Sequence, residues 1–289
     1  MTPWLLAARP KTLAAAVTPV LVGTALARVD SMPVHWLVFA FALFGAVFIQ
    51  IGTNYVNDAL DFKKGADTHG RLGPLRVTQA GLLGAEAVLR GAYVCFFLAA
   101  LCGIPLILRG GWPIAAIGIA SIVAAYAYTG GPYPLAYHGL GEVFVMIFFG
   151  FVAVCGSFYL QRLTLDRTAW IGGFAVGSLA VVILAINNLR DIDNDRASNK
   201  KTLAARLGSR FAYSEIVVFA LAPFLCVLAI ARLRGTWTLA APVLALILAI
   251  ALLVRVARSR GAELNRCLAL AGALEWIFGI LYVIGAALA

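Results

Sequence analysis

An all-α, polytopic membrane bundle is the fold class this sequence predicts, and three observations predict it. Hydrophobic residues fill 62% of the 289 positions and charged residues only 12%, far from the composition of a soluble domain. Apolar runs of about 18 residues or more, the length that crosses a bilayer, recur along the chain. The polar residues, in turn, gather into two segments, 57–84 and 188–209, rather than alternating with the apolar ones. A single transmembrane domain over residues 1–289, a bundle of about nine helices, accounts for the whole length.

The spans follow in order. Thr12 to Ala27 is the first, short and interrupted by Pro19 and Gly23. Ala25-Leu26-Ala27 has the small residues of a signal-peptidase site, but Met1 to Ala8 carries no positive charge, so an uncleaved first helix is expected. Val34 to Tyr55 is the second span; the polar segment Asn57 to Gly84 is too polar to cross lipid. Glu86 to Leu108 and Trp112 to Tyr128 are the third and fourth. A Gly/Pro/Tyr loop from Thr129 to Gly141 leads to the fifth, Glu142 to Leu160, and Arg167 to Asn187 is the sixth. After the segment Asn188 to Ser209 come Arg210 to Ala231, Trp237 to Val254 and Leu268 to Leu288.

Charge sets the orientation. One side of the bundle collects most of the Lys and Arg, including Arg9, Lys11, Lys63, Lys64, Arg190, Lys200 and Lys201, and the positive-inside rule makes that side cytoplasmic. An inner (plasma) membrane location, with the active site on that cytoplasmic side, is expected. The net charge of +10 is explained by these loops, which excludes nucleic acid as the partner. The five cysteines lie in or beside apolar runs with no CxxC pair and read as small buried hydrophobes.

Two polar knots carry the chemistry. Asn54-Tyr55-Val56-Asn57-Asp58-Ala59-Leu60-Asp61 ends the second span; Asn187-Asn188-Leu189-Arg190-Asp191-Ile192-Asp193-Asn194-Asp195 ends the sixth. At about 100° per residue, Asn187, Asp191 and Asp195 share one helical face, and Asn54, Asp58 and Asp61 share another. An Asp in lipid costs roughly 2.5–3.5 kcal/mol, so these acids must face a wet cavity or a cation. An all-oxygen set of Asp and Asn suits Mg²⁺, held with phosphate oxygens; without His or Cys in either knot, zinc does not fit. Asp58, Asp61, Asp191 and Asp195 are therefore the candidate metal ligands.

Lys63, Arg71, Arg76, Arg190, Lys200 and Lys201 interleave with the acids. A metal with Lys and Arg clamps a diphosphate, and the adjoining lipid-embedded spans give that diphosphate a hydrophobic tail. Such charges in a short loop also occur as a plain salt-bridged surface. A third site, Tyr126-Ala127-Tyr128-Thr129-Gly130-Gly131-Pro132-Tyr133-Pro134, reads equally as an interfacial aromatic belt or as the wall of an aromatic acceptor pocket or a shield for a cation, with Tyr126 and Tyr128 as the shielding candidates. A weak internal repeat relates Asn54/Asp58 to Asn187/Asp191, each followed by a Lys-Lys doublet. A cation-coupled transporter is the rival reading; it predicts acids deep within spans rather than at their ends.

These motifs resemble the UbiA-type superfamily of intramembrane prenyltransferases. The resemblance rests on Ala8-Arg9-Pro10-Lys11-Thr12-Leu13, on Asn57-Asp58-x-x-Asp61-Phe62-x-x-Gly65-x-Asp67, and on Asn187-Asn188-x-Arg190-Asp191 leading to Lys200-Lys201-Thr202. Arg71-Leu72-Gly73-Pro74-Leu75-Arg76 and Tyr128-Thr129-Gly130-Gly131-Pro132 draw it toward the naphthoate (MenA) branch. Two departures stand out: Gly65 where an acid is common, the acid appearing instead at Asp67, which competes with Asp61 to complete the metal set the resemblance implies, and Asn199 where Gly often precedes the Lys. The resemblance implies Mg²⁺, a polyprenyl diphosphate donor and 1,4-dihydroxy-2-naphthoate as acceptor, with loss of CO₂ and pyrophosphate to give demethylmenaquinol. Asn54 and Asn187 would support the metal, and Arg9 or Lys11 would hold the acceptor carboxylate. Within the superfamily, 4-hydroxybenzoate is an alternative acceptor.

Overall fold

The structure, a computed structural model, describes residues 2–28, 33–65, 72–73 and 75–289. Among them every regular element is helical. Two short pieces precede and follow a break: α1 (Pro3–Ala8) and α2 (Ala14–Arg28). Then come α3 (Trp36–Lys63), α4 (Ala85–Gly110), α5 (Trp112–Ala127), α6 (Gly141–Arg162) and α7 (Arg167–Arg190). Two short helices, α8 (Ile192–Ala197) and α9 (Leu203–Leu207), carry the second polar segment. The chain ends with α10 (Ser209–Arg234), α11 (Trp237–Arg258) and α12 (Gly261–Ala287).

Among the described residues, seven helices are long and apolar enough to cross a membrane, and an eighth is reached by joining α1 to α2. The expected nine would also require α5, whose 16 residues make a rod of only about 24 Å. The α1–α2 break bends the chain by 48°. Pro10 has no N–H to continue α1, and Arg9 turns left-handed at φ 50°. The Asn54 side-chain amide donates to the Ala8 carbonyl (2.9 Å) and to Thr12 Oγ1 (3.1 Å), while Thr12 Oγ1 donates to the Arg9 carbonyl (2.9 Å). One buried asparagine of α3 thus pins the turn that presents Arg9 and Lys11.

The core is built around α7. Some 72% of its apolar stretch is buried, against 17% for α3, so α7 is central and α3 lies against open space. α7 packs on α6, α10 and α12, and α3 packs chiefly on α4. Glycines allow the closest crossing: a Cβ on Gly150 of α6 would stand 2.6 Å from the Gly173 carbonyl oxygen and 3.0 Å from Gly177 Cα. In this stretch, Met146–Val152, α6 loosens into a π-helical turn, a device that recurs near functional sites because it re-aims side chains. α7 starts at a built cap: Asp166 accepts from the Thr168 (2.8 Å) and Ala169 (3.0 Å) backbone N–H groups and pairs with Arg234. All five thiols are free.

Candidate functional site

At one end of the bundle α3, α7, α8 and the 128–140 loop surround a polar cavity of about 590 Å³. Its wall contains Arg9, Lys11, Asn54, Asp61, Arg76, Tyr128, Asn187, Arg190, Asp191, Asp195 and Lys200. Residues expected from five separate stretches of sequence therefore share one space. Asp67 and Arg71 lie outside the described residues.

Four of the expected residues do not line the cavity. Asp58 is 1% exposed and its carboxylate is spent on the chain that follows. Oδ2 accepts from the Val77 N–H (3.2 Å), Oδ1 from the Thr78 N–H (3.0 Å) and from the Thr78 hydroxyl. With both oxygens so engaged, Asp58 braces the 75–80 turn, and this corrects its assignment to metal. Lys63 points outward, where it pairs with Glu86 on α4. Lys201 is exposed, its backbone N–H bonded to the Tyr137 carbonyl (3.0 Å). Tyr126 packs into the apolar cluster around Tyr55, Val56 and Val88, with no place on the cavity wall.

The cavity face of α3 is a polar stripe, Gln50, Asn54, Asn57 and Asp61, at spacings i, i+4, i+7 and i+11. Asn57, not Asp58, belongs to it. The counterpart of Asn187-x-x-x-Asp191 is thus Asn57-x-x-x-Asp61, three positions beyond the repeat read from Asn54 and Asp58. On the other side the chain leaves α7 at Asp191 but keeps helical spacing, with Asp195 N–H bonded to the Asp191 carbonyl (2.8 Å). Asp191 and Asp195 therefore stay on the cavity face, while Asp193 is 95% exposed beside Arg196. Asn199, at φ 55°, turns the chain so that the Lys200 N–H returns to the Asp195 carbonyl (2.8 Å). Glycine takes this left-handed conformation readily and asparagine tolerates it, so the Asn-for-Gly departure keeps the turn.

Every cavity acid of the two knots is met by a cation. Arg190, fully enclosed, forks onto both Asp191 oxygens and also donates to Asn187 Oδ1 (2.7 Å) and Asn265 Oδ1 (2.8 Å). Asn265 in turn donates to the Leu72 carbonyl (2.7 Å), which ties α12 to the 72–82 stretch. Arg76 donates to Asp61 Oδ2 (2.8 Å) and Tyr137 to Asp61 Oδ1 (3.2 Å). Lys200 stands 3.8 Å from Asp195, whose other oxygen accepts from Thr202 (3.1 Å). Two ammonium groups stand over the Tyr137 ring, Lys64 at 5.0 Å and Lys200 at 5.8 Å from its centroid.

Burial pushes the Asp195 carboxyl above the usual range, with Asp191 and Asp61 adding to the rise; Lys200 and Thr202 oppose it. Burial also pulls the Lys64 ammonium down, against Asp61. Gly139 lets the loop pass close by: at φ 73°, a Cβ there would lie 2.8 Å from the Lys201 carbonyl oxygen.

Among the described residues, no three acidic, His or Cys side chains converge closely enough to cage a metal alone. The donor set fits a different arrangement: two or three carboxylates with amide oxygens facing one another across a cavity, the pattern in which Mg²⁺ takes few protein ligands and completes its shell with phosphate oxygens and water.

The polar cavity opens into an apolar groove of about 430 Å³ that runs between α3, α4, α5 and α6. No charged residue lines it; Ala46, Ile49, Gly103, Gly118 and Phe148 are representative of its wall. Six residues line both spaces: Gln50, Asn54, Asn57, Tyr128, Val145 and Phe149. The arrangement can take a ligand with a multiply charged head and a long apolar tail.

Comparison with known proteins agrees with this geometry. Residues 16–287 match the UbiA prenyltransferase family. The chain is 41% identical over 213 residues to a 1,4-dihydroxy-2-naphthoate octaprenyltransferase of Escherichia coli, covering 71% of this chain and 68% of that one. It is 36% identical over 255 residues to a protein of the same name from Haemophilus influenzae, covering 84% and 83%. In fold it is similar to a UbiA homolog from Archaeoglobus fulgidus bound to GPP and Mg²⁺, with a TM-score of 0.72, 12% identity and 99% of each chain covered.

Proposed function

The chain belongs to the UbiA prenyltransferase family, and from that premise we propose that it transfers a polyprenyl group from its diphosphate to 1,4-dihydroxy-2-naphthoate. Pyrophosphate and CO₂ leave, and demethylmenaquinol is the product. The observation that carries the reading is the continuity of the charged cavity with the apolar groove through six shared residues. A diphosphate head belongs to the first space and an isoprenoid tail to the second. The names of the relatives support the acceptor.

In this reading Asp61, Asp191 and Asp195, with Asn57 and Asn187, would hold Mg²⁺. The metal would neutralise charge that develops on the leaving diphosphate. Arg76, Arg190 and Lys200 now neutralise those same acids. With those carboxylates committed to a bound metal, Arg76, Arg190 and Lys200 would be available to the phosphate oxygens. Charge that is already in place, shielded from water and aimed at the leaving group commonly accounts for most of the rate enhancement in reactions of this kind. Tyr128, at the neck, faces the carbon where head and tail join, and its ring shields the allylic cation. Arg9 and Lys11, on the turn pinned by Asn54, face the acceptor carboxylate. By the charge rule the cavity opens to the cytoplasmic side of a plasma membrane.

The test uses membranes containing the protein, Mg²⁺, a polyprenyl diphosphate and, in turn, 1,4-dihydroxy-2-naphthoate and 4-hydroxybenzoate. A prenylated naphthoquinol is expected only with the first. Product from 4-hydroxybenzoate alone overturns the acceptor assignment, and turnover undiminished by chelation overturns the metal.

A further inference from the structure

We propose that Glu142 is the base that takes the hydroxyl proton of the aromatic acceptor, an inference that rests on the aromatic-acceptor function proposed above. Three observations converge on it. The first is place. Glu142, Val145 and Phe149 of α6 all line the polar cavity. Val145 and Phe149 line both the polar cavity and the groove, whereas Glu142 lines the cavity alone. Its carboxylate therefore stands at the rim where a diphosphate gives way to its chain. That is where the acceptor ring has to meet the allylic carbon.

The second is partnership. Asp61, Asp191 and Asp195 each face an Arg or Lys. A carboxylate held by a guanidinium or given over to a cation is a poor proton acceptor. Glu142 is 6% exposed and its hydrogen-bond partner is a neutral amide, Asn188 Nδ2, 2.8 Å from Oε1. Asn188 is itself buried and lines the same cavity. Among the described residues no Lys or Arg forms an ion pair with Glu142. The amide fixes one oxygen and leaves the group its basicity.

The third is elimination. No histidine lines the cavity among the described residues; His138 is turned to the Pro134 carbonyl (2.8 Å) and stacks on Tyr133. The titratable groups that face Glu142 from neighbouring elements are Tyr128 at the end of α5, Lys200 after α8 and Glu215 on α10.

The step balances. The acceptor O–H bond breaks and its proton passes to a Glu142 oxygen. The electron pair moves into the ring, whose carboxylate-bearing carbon bonds to the allylic carbon as the C–O bond to diphosphate breaks. Loss of CO₂ returns an electron pair to the ring, and the proton goes back from Glu142 to the ring oxygen. Glu142 thus ends as it began.

The test compares the full-length wild type with Glu142→Gln and Glu142→Asp in membranes. Expected for Glu142→Gln is a fall of about 10²–10⁴-fold in kcat, the usual contribution of a general base, with an unchanged KM for the diphosphate. An acceptor analogue whose electron-withdrawing substituent leaves its hydroxyl ionised at the assay pH should restore the variant to within a few-fold of wild type. Calorimetric binding of a non-hydrolysable diphosphate to Glu142→Gln should match wild type. Glu142→Asp, which withdraws the carboxylate by one methylene, should show a smaller loss with the same rescue, and it serves if the Gln variant fails to fold. Wild-type kcat in Glu142→Gln, or equal losses on ionised and un-ionised acceptors in both variants, overturns the proposal. If the wild type itself prenylates no aromatic acceptor, the function it rests on falls first, and that outcome is distinct from turnover that ignores the substitution.

Discussion

Asp58 and Asn57 differ by one position and by about 100° of helix, and the difference decides which of them meets the cavity. The sequence shows both side chains as short and polar at the end of an apolar run, and the spacing Asn54, Asp58, Asp61 is as regular as Asn54, Asn57, Asp61. What separates them is the 75–80 turn, whose N–H groups claim Asp58; nothing in the order of residues announces that contact. Asp58→Asn should therefore cost stability rather than chemistry. We expect a loss of about 1–3 kcal/mol from the broken acceptor, read as a lower Tm, with the Mg²⁺ dependence of the surviving enzyme unchanged.

Elements are easier to read than contacts. The long spans from α3 to α12 follow from runs of apolar residues, and the polar breaks at 57–84 and 188–209 fall where α3 and α7 end. The bend between α1 and α2 is signalled only by Pro10, and its lock is a side chain from α3, forty-odd residues away in sequence. The π-turn at Met146–Val152 has no local marker, because it arises where α6 meets the Gly173–Gly177 face of α7. Asn265, from α12, likewise joins the Arg190 network through packing alone. The Asn54 lock is testable as an element-scale device. Asn54→Leu should free the Ala8–Thr12 turn that carries Arg9 and Lys11, and raise the acceptor KM about tenfold, a loss of about 1.4 kcal/mol. The diphosphate KM should move less, since the acids on α7 and α8 are untouched; separate titration of the two substrates distinguishes the outcomes.

Across the whole molecule, a charged cavity and an uncharged groove meet at a neck, and in the proposed reaction the groove would set the length of the tail. Gly118 lines it on α5, with open space where a Cβ would be. Gly118→Phe should therefore fit the fold yet shorten the usable groove. Competition between long and short prenyl diphosphates should shift toward the short one, with Mg²⁺ dependence intact. The sequence could not show this groove, because helices that are apolar all round give no hint of which face meets lipid and which meets ligand. α5 itself has a further consequence. A helix of 16 residues is about 24 Å long, whereas the hydrocarbon layer it faces is about 30 Å. Its residues Trp112 and Val123 are exposed and apolar and lie outside the groove, so lipid must meet it. A short hydrophobic flank is accommodated by thinning of the bilayer, by snorkelling side chains at its ends or by oligomerising; thinning would draw the two leaflets together beside the groove. There an isoprenoid tail lying between the leaflets has the least distance to travel toward the charged end of the bundle, and the thickness of the surrounding bilayer becomes part of how the protein meets its substrate.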